Sequence, residues 1–183
     1  MANKNTWAKR GVASALAGLL LLGLAACGSG DDDEPASSWQ TTWATAPTGP
    51  FSLTESAAFL PTITLQQQTV RMVVRSTSAG DRVRIRLSNE VGDAPLAVRI
   101  GAAHIGLRDK GSSIVAGTGR TLSFDGKAEV LIPPKGFVYS DPVSLNVPAL
   151  SDLAISLYLP DSTQVQSGHF VTRQTSYLSP GNT

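Results

Sequence analysis

From Trp39 onward the apolar residues recur at every second position, not every third or fourth. Arg82-Val83-Arg84-Ile85-Arg86-Leu87 alternates strictly, with Val83, Ile85 and Leu87 on one side and three arginines on the other. This is the period of a half-buried strand, because successive side chains of an extended backbone point to opposite faces. Further strands are predicted at Thr69–Arg75, Leu96–Leu107 with a bend at Gly101, Leu122–Phe124, Ala128–Ile132, Val143–Val147, Leu153–Leu159 and His169–Thr172. Ser78-Ala79-Gly80-Asp81 reads as a turn. Asp125-Gly126 is a hairpin signal, since both residues tolerate the positive φ of a tight turn. Strand follows strand without a sustained helical period, and that builds antiparallel sheets. The expected fold is all-β, an antiparallel β-sandwich or jelly roll over residues 39–178.

The first residues follow a different pattern. Lys4, Lys9 and Arg10 precede an apolar run from Gly11 to Leu24, and small residues follow. That is the layout of an export signal, too short for a membrane-spanning helix. The junction Leu24-Ala25-Ala26-Cys27-Gly28 resembles the lipobox of bacterial lipoproteins. The resemblance implies cleavage after residue 26 and lipidation of Cys27, with the membrane as partner through acyl chains. Gly28 lacks the Asp that can retain lipoproteins in the inner membrane, so the expected location is the envelope, on the outer membrane facing the periplasm. Residues 27–38, with Asp31-Asp32-Asp33-Glu34, have little to bury and read as an acidic, flexible tether. The closing Ser179-Pro180-Gly181-Asn182-Thr183 reads as a linker-like end.

Composition narrows the function more than the fold. The 183 residues carry 15 Lys+Arg against 14 Asp+Glu, a net charge of +1, so no global field draws the chain to nucleic acid. A single cysteine excludes an internal disulfide and any multi-cysteine metal site. Two histidines without a close acidic pair offer no metal site, and P-loop and dinucleotide fingerprints are absent. No cofactor is expected.

Several segments, in order, resemble the N-terminal β-domain of bacterial SGNH (GDSL-type) esterases. They include Trp43-Ala44-Thr45-Ala46-Pro47, Arg82 to Gly92, Ala102-Ala103-His104-Ile105, Thr121 to Gly126, Ser140-Asp141-Pro142-Val143, Asp152 to Pro160 and Gln174-Thr175-Ser176-Tyr177. The resemblance runs from about Trp39 to Tyr177. In that family a hydrolase domain carrying the chemistry follows this β-domain. Its nucleophile lies in Gly-Asp-Ser and its base in Asp-x-x-His. This chain has Gly80-Asp81-Arg82 and Gly92-Asp93-Ala94, while Gly101 and Gln166 stand three residues before its histidines. No catalytic residue carries over. The resemblance implies a non-catalytic, envelope-anchored β-module, truncated or split from its hydrolase. The alternative is a free-standing envelope lipoprotein that binds carbohydrate or another envelope component.

A few residues are candidates for contact with a partner. His104, in an apolar strand, reads as a structural hydrogen-bonding group. His169, at a strand edge after Gly168, could face a neighbouring domain. Trp39 and Trp43 either offer aromatic planes to a sugar or pack into the core. Asn89 and Glu90 either bind a sugar hydroxyl or shape the turn after the arginine strand. Arg84, with Arg71, Arg75, Arg82, Arg86 and Arg99, belongs either to a cationic strip for an acidic partner or to a solvated face balanced by acids.

Overall fold

The computed structural model describes residues 38–47, 63–91, 96–165, 168 and 173–183, and every regular element among them is a strand. The lipidation candidate Cys27, the contact candidate His169 and the predicted strand His169–Thr172 lie outside these residues. The chain divides into two units, Met1–Gln40 and Thr41–Thr183. Only residues 38–40 of the first are described, and the account below concerns the second.

One five-stranded antiparallel sheet organises this unit. It comprises β2 (Gln68–Arg75), β6 (Ala102–Leu107), β7 (Arg120–Leu122), β11 (Asp152–Leu159) and β13 (Tyr177–Pro180), in the order β13-β2-β11-β6-β7. Four two-stranded pieces complete the fold. They are β1 (Thr64–Leu65) with β12 (Thr163–Gln164), β3 (Gly80–Val83) with β10 (Val143–Val147), β4 (Arg86–Ser88) with β9 (Phe137–Tyr139), and β5 (Val98–Ile100) with β8 (Val130–Ile132). The unit is all-β and antiparallel, as the apolar period predicts.

One continuous core joins the large sheet to the small pairs. Val74, Ala103, Ile105, Leu122, Leu153 and Leu157 from the sheet pack in one cluster with Ile85, Leu87, Ile100, Ile132, Leu145 and Val147. Each Val, Leu or Ile side chain among them contributes roughly 1.5–3 kcal/mol when fully buried. The bend predicted at Gly101 is where the chain leaves the β5–β8 pair and enters the five-stranded sheet as β6. The Gly101 N–H donates to the Tyr158 carbonyl at 2.9 Å. A Cβ here would stand 3.0 Å from Tyr158 Cδ1 and 3.2 Å from Pro160 Cγ, so a side chain at this corner would have to push the two rings aside.

Three local expectations need correction. Arg82–Leu87 is not one strand: pairing lapses at Arg84 and Ile85, although Ile85 and Leu87 still point inward and the arginines outward. The cause lies in the partner, where Pro142 has no N–H to offer the ladder. Ser140 bridges the gap, its hydroxyl accepting from the Ile85 N–H at 3.0 Å while its own N–H donates to the Ile85 carbonyl at 2.9 Å. The Asp125-Gly126 turn forms, with φ of 49° and 76°, but the strands it joins do not zip together. Beyond the Phe124–Lys127 bridge, β7 pairs with β6 and β8 with β5. The linker-like end is also ordered differently, since Ser179 and Pro180 continue β13 along β2. A proline is tolerated there because β13 is an edge strand.

Candidate functional site

The face of the β4–β9 pair brings two exposed aromatic rings and two arginines together. Leu87 and Val138 stand opposite one another and turn to the core. The intervening residues, Arg86, Ser88, Phe137 and Tyr139, therefore point outward. Phe137 is 45% and Tyr139 49% exposed. Their rings meet edge to face, with centroids 5.7 Å apart and planes at 81°. The Arg86 guanidinium lies 4.1 Å from the Phe137 centroid, and that of Arg84 lies 4.9 Å from the Tyr139 centroid. Two cations thus rest against an aromatic pair in solvent, where each contact is worth about 0.5–1 kcal/mol.

A tight turn aims β9 at this face. In Pro133-Pro134-Lys135-Gly136, the Gly136 N–H donates to the Pro133 carbonyl at 3.1 Å. A Cβ on Gly136 would fall 2.7 Å from Pro133 Cγ, so no side chain fits. Asn89 locks this turn to the end of β4. Its N–H donates to the Gly136 carbonyl at 2.7 Å, and its side-chain amide to the carbonyls of Leu96 and Pro133 at 3.0 and 3.2 Å. The Asn89 amide thus engages the Pro133–Gly136 turn.

Glu90 belongs to the same face. It accepts from the Ser88 hydroxyl at 2.8 Å and forms an ion pair with Arg86. The Ser88 hydrogen bond first, and then the Arg86 hydrogen bond, hold its carboxyl below the usual carboxylate range. The carboxylate therefore stays ionised and steadies the guanidinium over Phe137. Phe137 and Tyr139 are absent from the candidates drawn from sequence. A three-residue strand is too short to show a period. The available signal is the aromatic-Val-aromatic alternation after a Pro-Pro-Lys-Gly turn.

The other candidates are dispersed. Trp43 is 47% exposed and Trp39 41%, so neither is a core residue, and neither lies in a strand. The segment holding Trp43 is tied down through Thr42, whose side-chain oxygen accepts from the Thr77 N–H at 2.8 Å and whose carbonyl accepts from the Thr77 hydroxyl at the same distance. The arginines do not form one strip. Arg71 and Arg75 belong to the five-stranded sheet, Arg84 and Arg86 to the β4–β9 face, and Arg99 to β5. Several are balanced locally: Arg75 meets Asp152 at 3.4 Å and Arg99 meets Glu129 at 3.5 Å. His104 lies on the outer face of the large sheet, its Nδ1 3.4 Å from the Thr121 hydroxyl. No family model matches this chain, and no curated protein matches it.

Proposed function

We propose that this chain is a non-catalytic β-module of the cell envelope, lipid-anchored at Cys27, that docks an SGNH-type ester hydrolase domain on its β4–β9 face. The observation that carries this reading is the solvent-facing Phe137–Tyr139 pair with Arg84 and Arg86 against it. Aromatic residues and arginine are the residue types enriched at protein–protein contacts, where they supply most of the binding energy. Their rings are already held by each other and by the guanidinium groups, so little side-chain freedom remains to be lost on docking. The resemblance to the esterase β-domain, from Trp39 to Tyr177, supplies the identity of the partner.

The surroundings of His104 support a non-catalytic role for it. A serine hydrolase needs an activated hydroxyl, an orienting base and donors for the developing oxyanion, all arranged in advance. The ring partner of His104 is a threonine hydroxyl, and the neighbouring Ser156 accepts a hydrogen bond from Arg71 at 2.7 Å. Neither arrangement activates a nucleophile.

DNA sequence downstream of the Thr183 codon tests the proposal first. A Gly-Asp-Ser motif followed by Asp-x-x-His, in frame or after a frameshift, is the expected finding. Expressed separately, that domain should bind the chain, and the double substitution Phe137→Ser, Tyr139→Ser should weaken binding by about tenfold or more. Unchanged binding in a folded double variant would overturn the docking face. The chain alone should leave nitrophenyl acetate at its background rate. The second reading, a free-standing carbohydrate-binding lipoprotein, rests on the exposed Trp43 indole. It predicts that envelope polysaccharide, with no hydrolase present, quenches tryptophan fluorescence in the wild type and not in Trp43→Ala.

A further inference from the structure

The outer face of the five-stranded sheet carries one row of polar residues to which each strand contributes a single member. Register aligns Tyr177 with Arg71, Arg71 with Ser156, Ser156 with His104, and His104 with Thr121. Residues directly opposite across strands share a face, so these side chains emerge side by side. Along this row lies an open basin of about 300 Å³. Arg71, His104, Thr121 and Ser156 line its polar side, and Ile114 and Ala154 its apolar side.

The basin is built and held by several contacts. Arg71 Nε donates to Ser156 Oγ at 2.7 Å, and its Nη1 to the Ser112 carbonyl at 2.6 Å. One guanidinium therefore spans from β11 to the loop after β6 and stands over a serine that is only 3% exposed. Ile114, on that loop, descends onto two glycines. Cβ atoms at Gly106 and Gly119 would stand 3.3 and 3.1 Å from its Cδ1, so their missing side chains let the isoleucine form a wall. Arg120 stands opposite the core residue Ile105 in register, so its side chain projects from the other face of the sheet and donates there to the carbonyls of Gly117, Gly119 and Ser144 at 2.9 Å each. Thr183 also lines the basin, and among the described lining residues there is no Asp or Glu side chain.

A guanidinium, an imidazole and two hydroxyls on one side select an anion, and a guanidinium pairs especially well with the planar oxygens of a carboxylate. The isoleucine and alanine opposite select an apolar body. The volume is at the small end of ligand sites. We infer that this basin binds a short-chain monocarboxylate, its carboxylate toward Arg71 and His104 and its alkyl chain against Ile114 and Ala154. Such an acid is also one half of an acyl ester. That link to a hydrolase rests on the function proposed above, whereas the binding site rests on the basin alone.

Ligand-detected NMR on the full chain, with butyrate, neutral butyramide and inorganic phosphate as probes, tests this without any hydrolase present. Butyrate should bind in the millimolar range, with butyramide and phosphate each about tenfold weaker or more. Arg71 is left intact because it also holds the loop, and the test variants are His104→Gln and Ile114→Ser. Each should weaken butyrate binding several-fold with an unchanged melting temperature. Equal binding of butyramide or of phosphate, or butyrate binding unaffected by either substitution, would overturn the site. Because no docking partner takes part, failure here leaves the hydrolase-docking result untouched, and the reverse holds too.

Discussion

The Ser123 hydroxyl donates to the Asp141 carboxylate at 2.6 Å, tying the approach to the Asp125–Gly126 turn to the break between β9 and β10. Asp141 also accepts the N–H groups of Gly126 at 2.8 Å and Asp125 at 3.1 Å. A single side chain thus satisfies both exposed donors of a turn whose strands part into different sheets. The same Pro142 that interrupts the ladder leaves Asp141 out of regular pairing and able to reach them.

These donors, Ser123 first and then Gly126, hold the Asp141 carboxyl below its usual range. Its contribution to stability is present above the unfolded aspartate value of about 3.9 and is lost as pH falls through the lower folded value. Asp141→Asn should lower the melting temperature at neutral pH and flatten its decline in acid. Thermal melts across the acid range check this. A variant curve running parallel to that of the wild type would contradict it.

Ile85 and Arg84 are neighbours on opposite faces of an interrupted strand. Ile85→Ala should cost about 2–5 kcal/mol, as large-to-small core changes do. Arg84→Ala removes a solvent-facing cation–π contact and should cost about 1 kcal/mol or less. Urea unfolding of both variants measures the difference, and equal costs would refute the assignment of faces.

Gly101→Ala probes the corner between β5 and β6. The new methyl meets the Tyr158 ring and the Pro160 ring together, and neither is a flexible chain end. Overpacking of this kind should cost roughly 1–3 kcal/mol, read by the same unfolding assay. A neutral effect would mean that the corner yields where its contacts say it does not.

Cys27→Ser tests the anchor. Lipidation predicts that the wild type fractionates with membranes and that its precursor accumulates in globomycin-treated cells. The variant should leave the membrane fraction. An unchanged distribution would reject the lipobox reading and leave the β-unit free in its compartment.

The strands most legible in the sequence are those whose period is carried by their own side chains. Val143–Val147 matches β10, Leu153–Leu159 lies within β11, and the bend at Gly101 separates β5 from β6. Alternation and turn chemistry are local properties, so a short window contains the whole signal. The break at Arg84–Ile85 was illegible there because its cause, Pro142, belongs to another strand. The short strand Phe137–Tyr139 offered too few residues for a period, and the candidate site was hidden with it.

By itself, the sequence determined that this chain forms antiparallel strands, which face of the longer ones is apolar, and that Asp125–Gly126 turns tightly. Only the tertiary structure decided which strands are neighbours and in what register. That placed Arg86 beside Phe137, brought Arg71, Ser156 and His104 into one row, and distributed the arginines over separate surfaces. The physical reason is the reach of each interaction. A side chain's face follows from the geometry of its own backbone, whereas its partner across a strand is chosen by hydrogen bonds and packing among segments tens of residues apart, as in the pairing of Ser156 with Arg71.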